Sequence, residues 1–298
     1  MIAAQGPERR ASQRPGAQKP VRKPPGESPP DLSGEAFGNV DAGPDPKHWI
    51  AYLDLATAQL RELKSFSYGL LGLKPGAAVL DLGCGTGDDA RELAALVGAQ
   101  GLVIGVDSSR AMVAEARKRT AESGLEVEFI VGNAERLDLA RNSFDACRAD
   151  RLLQHVPDPG RALREMVRVA SPGAVVQAID RDYGMVALDS ADRATTRTIL
   201  DRICDGIRNG WIGRRLPALL CECGLKDVRT EARVGTTADF RIANQMLDLE
   251  AAARRARDEG LVNAPPSAAW LKDLKRRHKQ GQFFACWTIF VATGRKAK

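Results

Sequence analysis

Two sets of residues have the types and spacing that chemistry needs. The first is Asp81-Leu82-Gly83-Cys84-Gly85-Thr86-Gly87. Gly83, Gly85 and Gly87 can take backbone angles closed to other residues and let a ligand approach the main chain closely. The pattern is neither the G-x-G-x-x-G of a dinucleotide fold nor a phosphate loop ending in Gly-Lys-Ser/Thr, and the stretch holds no cation to neutralise a phosphate. Asp107 ends a second apolar run twenty residues past Gly87, where an acid suits the two hydroxyls of a ribose. The second set is Asp150, Arg151 and His155, followed by Asp180-Arg181-Asp182-Tyr183. Asp150 suits a base or a polarising group. His155 titrates near neutrality and either takes a proton or orients and packs beside Pro157. Tyr183 is the aromatic best placed to line a pocket here.

These residues need elements to hold them. Val79, Leu80 and Leu82 read as a buried strand of a parallel sheet covered on both faces, and Asp88–Leu96 as a helix whose first turn is acidic, as the helix dipole prefers. Leu102–Asp107 repeats the strand. Further strands are expected at 126–131, 142–149, 174–180 and 227–234, with helices at 108–119, 161–169, 190–210 and 212–220. Residues 244–260 and 267–279 read as helical insertions, and 283–292 as a last strand that is apolar on both faces, as one inserted between neighbours would be. A helical stripe from Trp49 to Leu70 precedes the first strand. Residues 1–43 are rich in Pro, Gly, Arg, Lys and Ser and poor in aliphatics, so they are expected to be disordered.

With these motifs in hand, the chain resembles the class I S-adenosylmethionine-dependent methyltransferases, in particular the small-molecule branch that includes ubiquinone and menaquinone methyltransferases. The resemblance covers roughly residues 50 to 235. It implies a Rossmann-like α/β fold with a seven-stranded sheet, mostly parallel with the last strand antiparallel and with helices on both faces. It also implies cap helices at 44–72, a methyltransferase domain at 73–298 and a helical lid insertion at about 241–280. It implies S-adenosylmethionine as methyl donor and S-adenosylhomocysteine as product. Asp81 and Gly83 would meet the methionine amino group, Gly85 and Gly87 would give close backbone approach, and Asp107 would take the ribose with Ser108 beside it. Asn133 would accept from the adenine amine where Asp is commoner, and the Ala134 N–H would donate to the ring, with Ala149 at the end of the fourth strand also among the cofactor contacts. Tyr52 or Tyr68 from the cap either touches the methionine end or packs. His155, Asp150, Arg151 and Tyr183 would serve the methyl acceptor. Related sugar and sterol enzymes tend to carry Glu at the Arg151 step. An Arg there either favours an anionic or carbonyl-bearing acceptor or pairs with Asp150 or Asp182.

Bulk properties narrow the classes. No window holds eighteen uninterrupted apolar residues and no apolar signal core opens the chain, so no membrane partner and a cytoplasmic location are expected. The six cysteines lack C-x-x-C spacing and read as reduced core thiols rather than metal ligands. The net charge of +6 is uneven, with eleven lysines and arginines against three acids from Ala253 to Lys298. That region either attracts an acidic partner or forms a solvated helix face. Nucleic acid is the weaker expectation, because the fourth strand leads into Ala149-Asp150-Arg151-Leu152 rather than an N-P-P-Y-type motif and no RNA-binding module is evident. A small-molecule acceptor, with homo-oligomerisation left open, is the leading one. A protein or nucleic-acid methyltransferase, or a non-catalytic cofactor-binding homologue, are the alternatives.

Overall fold

The structure, a computed structural model, describes residues 40–42 and 46–298. Most of the segment expected to be disordered therefore lies outside the described residues, but its end does not. Val40–Ala42 forms a 3-10 turn.

Seven strands form one sheet: β1 (Ala78–Leu82), β2 (Leu102–Asp107), β3 (Glu128–Val131), β4 (Phe144–Asp150), β5 (Ala170–Leu188), β6 (Lys226–Thr237) and β7 (Ala285–Arg295), in the order β3-β2-β1-β4-β5-β7-β6. The first five pair in parallel. β7 is inserted between β5 and β6, antiparallel to both, which explains its apolar character on both faces. The strand order reverses beside β1, and the carboxyl ends of β1 and β4 flank the crevice where open α/β sheets bind ligands.

Among the described residues ten α-helices surround the sheet: α1 (Pro46–Gln59), α2 (Arg61–Leu71), α3 (Asp88–Val97), α4 (Arg110–Ser123), α5 (Pro159–Val169), α6 (Arg193–Asp205), α7 (Ile212–Glu222), α8 (Phe240–Leu247), α9 (Leu249–Asp258) and α10 (Ala264–Lys279). Their starts follow from local chemistry. Ser109, Asp158 and Asp192 cap α4, α5 and α6 with side-chain oxygens that accept backbone N–H bonds, satisfying donors that a helix start leaves free.

Several boundaries differ from expectation, the helix expected over 190–210 for one ending at Asp205, and three of the differences bear on the site. The continuous N-terminal stripe is two helices broken at Leu60. The helix expected over 244–260 is also two, because Asp248 takes a left-handed φ of 53° between α8 and α9. β5 runs eight residues past Asp180, because the antiparallel partner β7 extends with it as far as Leu188.

The lid helices have their own core. Phe240, Met246, Leu249, Trp270 and Phe283 pack with Ile199 of α6 and Trp287 and Ile289 of β7. The opposite side of the sheet buries Leu80 and Leu82 against Leu163 and Met166 of α5 and Leu216 and Leu220 of α7.

A polar row interrupts the apolar sheet. Asp81 pairs in register with Arg148, and Arg148 with Gln177, across three adjacent strands. Residues opposite each other in register share a face, so the three side chains stand in line. Helices α2 and α3 cover them with Lys64, Ser67, Tyr68 and Asp89. Arg148 is fully buried. Its Nη1 lies 3.0 Å from Asp89 Oδ2 and its Nη2 3.2 Å from Asp150 Oδ2, while Lys64 Nζ donates to Asp89 Oδ1 at 2.6 Å and Gln177 Nε2 to the Ser67 carbonyl at 2.8 Å.

Candidate functional site

A cavity opens over the carboxyl ends of β1, β2, β4 and β5. One end is walled by Gly83 and Gly85, by Asp107 and Ser108, and by Met112 of α4. The other is walled by Asp150, Arg151, Gln154, His155, Arg181 and Tyr183. Tyr52, Leu53 and Thr57 of α1 form the roof with Trp49 and Val40. Trp49 and Val40 pack on Met112.

The turn after β1 is shaped by backbone chemistry. Gly83 and Gly85 have φ of 77° and 52°, a region that favours glycine. A side chain at Gly83 would come within 2.9 Å of Leu152, and one at Gly85 within 3.2 Å of Leu53 in the roof, so the two glycines keep the floor low where the cavity is narrow. Asp107 braces this turn: its Oδ2 accepts from the Gly85 N–H and its Oδ1 from the Ser109 N–H, both at 2.9 Å. Burial raises its pKa, against the pull of those two N–H groups. Each oxygen keeps a second lone pair for a ligand.

The roof is tied down by the turn at Val40–Ala42. Asp41 accepts from the Ser109 hydroxyl at 2.5 Å and from the Arg110 and Ala111 N–H groups at 2.8 and 3.3 Å. The Ser109 hydrogen bond first, helped by those backbone donors, holds its pKa below the ordinary value against the opposing effect of burial.

At the other end the electrostatics run positive. His155 is held neutral, its pKa drawn down to about 3 by burial and then by Arg151, Arg181 and Arg208. Its Nε2 lies 2.7 Å from Gln154 Nε2. Burial pushes the Tyr183 phenol up to about 12. Burial also works to raise Asp150, but Arg151, Arg148 and Lys64 outweigh it and hold the carboxyl low. Arg151 Nε meets Asp150 Oδ1 at 3.2 Å, so of the two carboxylates considered for it, Asp150 is the partner. In the row beneath the cavity, burial and the nearby Asp89 push Asp81 up to about 7. Asp89 is held far down by Arg148 and Lys64 in spite of burial.

Of the residues singled out from sequence, Tyr52, Gly83, Gly85, Asp107, Ser108, Asp150, Arg151, His155 and Tyr183 line one cavity. Others do not reach it. Asp81 is only 2 % exposed, with Oδ1 3.9 Å from Arg148 and Oδ2 without a hydrogen bond; it belongs to the row beneath. Gly87 faces the other way, since a Cβ there would lie 2.7 Å from the Phe129 ring, so it is a packing glycine. Asn133 spends its side-chain oxygen on the Glu135 N–H at 2.8 Å, and Ala134 packs at the edge of the core below α5. Strand alternation removes two more. Ala149 points to the opposite face from Arg148 and Asp150 and is core, and Asp182 points away from Arg181 and Tyr183 to pair with Arg214 of α7, Oδ1 to Nη2 at 2.7 Å. Tyr68 bonds Asp89 in the covered row. Arg181, named in the second set, lines the cavity as well, and Lys64 and Gln154 do so without having been singled out.

The basic C-terminal region is partly paired. Arg255 pairs with Asp248, Lys275 with Glu250, Arg276 with Asp273 and Arg277 with Asp189 and Asp273, and Arg276, Arg277 and Lys279 stand in the last turn of α10 where the dipole prefers cations. No helix among the described residues is long and apolar enough to cross a membrane.

Residues 73–210 match the family described as the methyltransferase domain. The chain is 39 % identical over 266 residues to a protein named as an uncharacterized 37.1 kDa protein of transposon TN4556 from Streptomyces fradiae, covering 87 % of this chain and 73 % of that one. It is 33 % identical over 157 residues to the ubiquinone/menaquinone biosynthesis C-methyltransferase UbiE of Bdellovibrio bacteriovorus, covering 53 % of this chain and spanning 64 % of the relative's length. Its fold is shared with phosphoethanolamine N-methyltransferase 2 of Haemonchus contortus, solved with phosphomonomethylethanolamine and S-adenosylhomocysteine, at a TM-score of 0.56 and 17 % identity over 90 % of this chain and 61 % of that one. The glycine turn, the acid closing β2 and the crevice above them fit an adenosyl nucleoside, and with these matches the chain belongs to the class I S-adenosylmethionine-dependent methyltransferases.

Proposed function

We propose that this enzyme methylates a small organic molecule enclosed between the sheet and helix α1, in secondary or quinone-type metabolism and in the cytosol. The observation that carries the reading is the continuity of one roofed cavity from Asp107 and the glycine turn to Tyr183 and His155. A roofed cavity suits a small molecule rather than a polymer. The six cysteines, all free, suit a reducing compartment.

In this reading Asp107 holds the ribose hydroxyls, Ser108 lies beside it, and Gly83 and Gly85 let the backbone approach the methionine portion. Met112, Trp49 and Val40 supply an apolar wall for the base. S-adenosylmethionine supplies a methyl group on a sulfonium, which any nucleophile aligned behind the methyl can take. The chain's task is then to align the acceptor and exclude water.

The cavity side chains hold no strong base. His155 stays neutral and its low pKa makes it a weak proton acceptor, so it orients an acceptor hydroxyl or amine rather than storing its proton. Asp150 is ionised but committed to Arg148 and Arg151. Tyr183 remains a phenol and donates. The acceptor must therefore be nucleophilic already, or arrive ionised. Incubation with methyl-labelled S-adenosylmethionine and a small-molecule extract of the source organism, followed by identification of the labelled product, tests the proposal. Label found only in RNA or protein fractions would overturn it.

A further inference from the structure

Arg181 breaks a rule that the rest of the molecule keeps. Buried charges are paired, because an isolated ion inside a protein costs several kcal/mol. Arg148, equally buried, has three carboxylates around it. Arg181 is 2 % exposed, yet among the described residues no carboxylate lies within ion-pair distance of it. Its one hydrogen bond is from Nη1 to the Met246 carbonyl at 2.9 Å, in the last turn of α8, where the helix dipole gives a fraction of a negative charge. The guanidinium lies over the rings of Tyr183 and Trp287, at 5.3 and 5.7 Å. Its Nε is buried without a hydrogen bond.

The nearest acids do not supply the missing charge. Asp180 lies on the opposite face of β5, where it accepts from the Leu153 N–H, and burial raises its pKa well above the ordinary carboxylate value. Asp150 is shared among Arg148, Arg151 and Lys64. Asp182 is taken by Arg214. Arg181 lines the cavity at its acceptor end, so the anion that completes it enters as a ligand.

We propose that the methyl acceptor carries a carboxylate that pairs with Arg181, so that the enzyme's substrates are small carboxylic acids. The inference rests on the reading of the cavity as a methyltransferase site. A carboxylate fits better than a phosphate group. Among the described residues only Nη1 of the guanidinium is bonded within the protein, and the donors it has left suit the two-point contact a carboxylate accepts, whereas a dianion would ask for further donors, and Arg151 is already engaged. The aromatic rings against Arg181 set the plane of the guanidinium, and with it the plane of the acid.

The test uses the full chain saturated with S-adenosylhomocysteine and calorimetric titration with 4-hydroxybenzoate, benzoate, methyl 4-hydroxybenzoate and inorganic phosphate. Both carboxylates are expected to bind. The neutral ester and Arg181→Met should each weaken binding about 10- to 100-fold, the range of a lost charge-assisted contact, and Arg181→Lys should lie between. Without ligand, Arg181→Met should unfold at the same or a higher temperature than the wild type, because it removes an uncompensated buried charge. Equal affinity for ester and acid, preference for phosphate, no binding of either acid, or a melting temperature lowered by ten degrees in Arg181→Met would each overturn the proposal. Failure of S-adenosylhomocysteine itself to bind would instead overturn the reading of the cavity, and the acid assignment with it.

Discussion

Replacing Arg148 by methionine tests the covered polar row most directly. In the native protein Asp81, Asp89 and Asp150 are balanced by Lys64, Arg148 and Arg151, all within one connected set of contacts. Arg148→Met leaves three buried carboxylates facing two cations, and Arg151 reaches only Asp150. Removing one partner of a buried ion pair costs about 3–5 kcal/mol. For a chain of this size that corresponds to a fall in melting temperature of about 10 °C, or an equivalent fall in urea midpoint. The pH dependence gives the sharper check. Without Arg148 the carboxyls have higher pKa values in the folded state than in the unfolded chain. The folded protein then binds the extra protons, and stability rises as pH falls through those values. Asp81, already pushed up to about 7, protonates first. The deficit should be largest at pH 8 and narrow towards pH 5, measured by urea unfolding at both. A loss under 1 kcal/mol, or a deficit unchanged between the two pH values, would refute the account of the row as a charge-balanced unit.

Asp107→Ala should weaken S-adenosylhomocysteine binding by about 1.5–3 kcal/mol, the range for hydrogen bonds to a charged group, with the domain still folded by circular dichroism; unchanged calorimetric affinity would remove Asp107 from the site. Gly87→Ala should destabilise by about 1–3 kcal/mol through its contact with Phe129 and its positive φ, yet leave the affinity of the folded protein for S-adenosylhomocysteine within twofold. His155 should show no protonation between pH 5 and 9 by NMR, since its pKa lies near 3, and activity should show no inflection from it in that range. Asp41→Ala should speed S-adenosylhomocysteine release at least severalfold in stopped-flow displacement while moving the melting temperature little, because the residue is exposed and holds only the roof.

The fold and the nucleoside end were legible in the sequence because both rest on backbone chemistry. Glycines at fixed spacing and an acid closing an apolar run have few structural uses, and a strand apolar on both faces can only lie between neighbours. The acceptor end was legible by residue type but not by direction. Asp150, Arg151, His155 and Tyr183 meet in the cavity, whereas Asp182 and Ala149 turn away because successive strand residues face opposite sides. That alternation can be read only once the strand ends are known, and β5 runs well past the expected Asp180. Lys64, Arg148 and Asp89 were not seen as a group because their contact is a property of register: Arg148 stands opposite Asp81 on one side and Gln177 on the other. Asp89 read as an ordinary first-turn helix acid although it is the hub of the row.

The three-residue turn at Val40–Ala42 has a consequence out of proportion to its length. It looked like the frayed end of a tail, yet its aspartate bonds the start of α4 next to Asp107 and Ser108. The roof thus hangs from the same helix start that borders the nucleoside end, by bonds that involve no strand of the sheet. Such a latch can open as a local event while the core stays folded. Ligand exchange and global unfolding are then expected to be separable, with Asp41 acting on the first and little on the second.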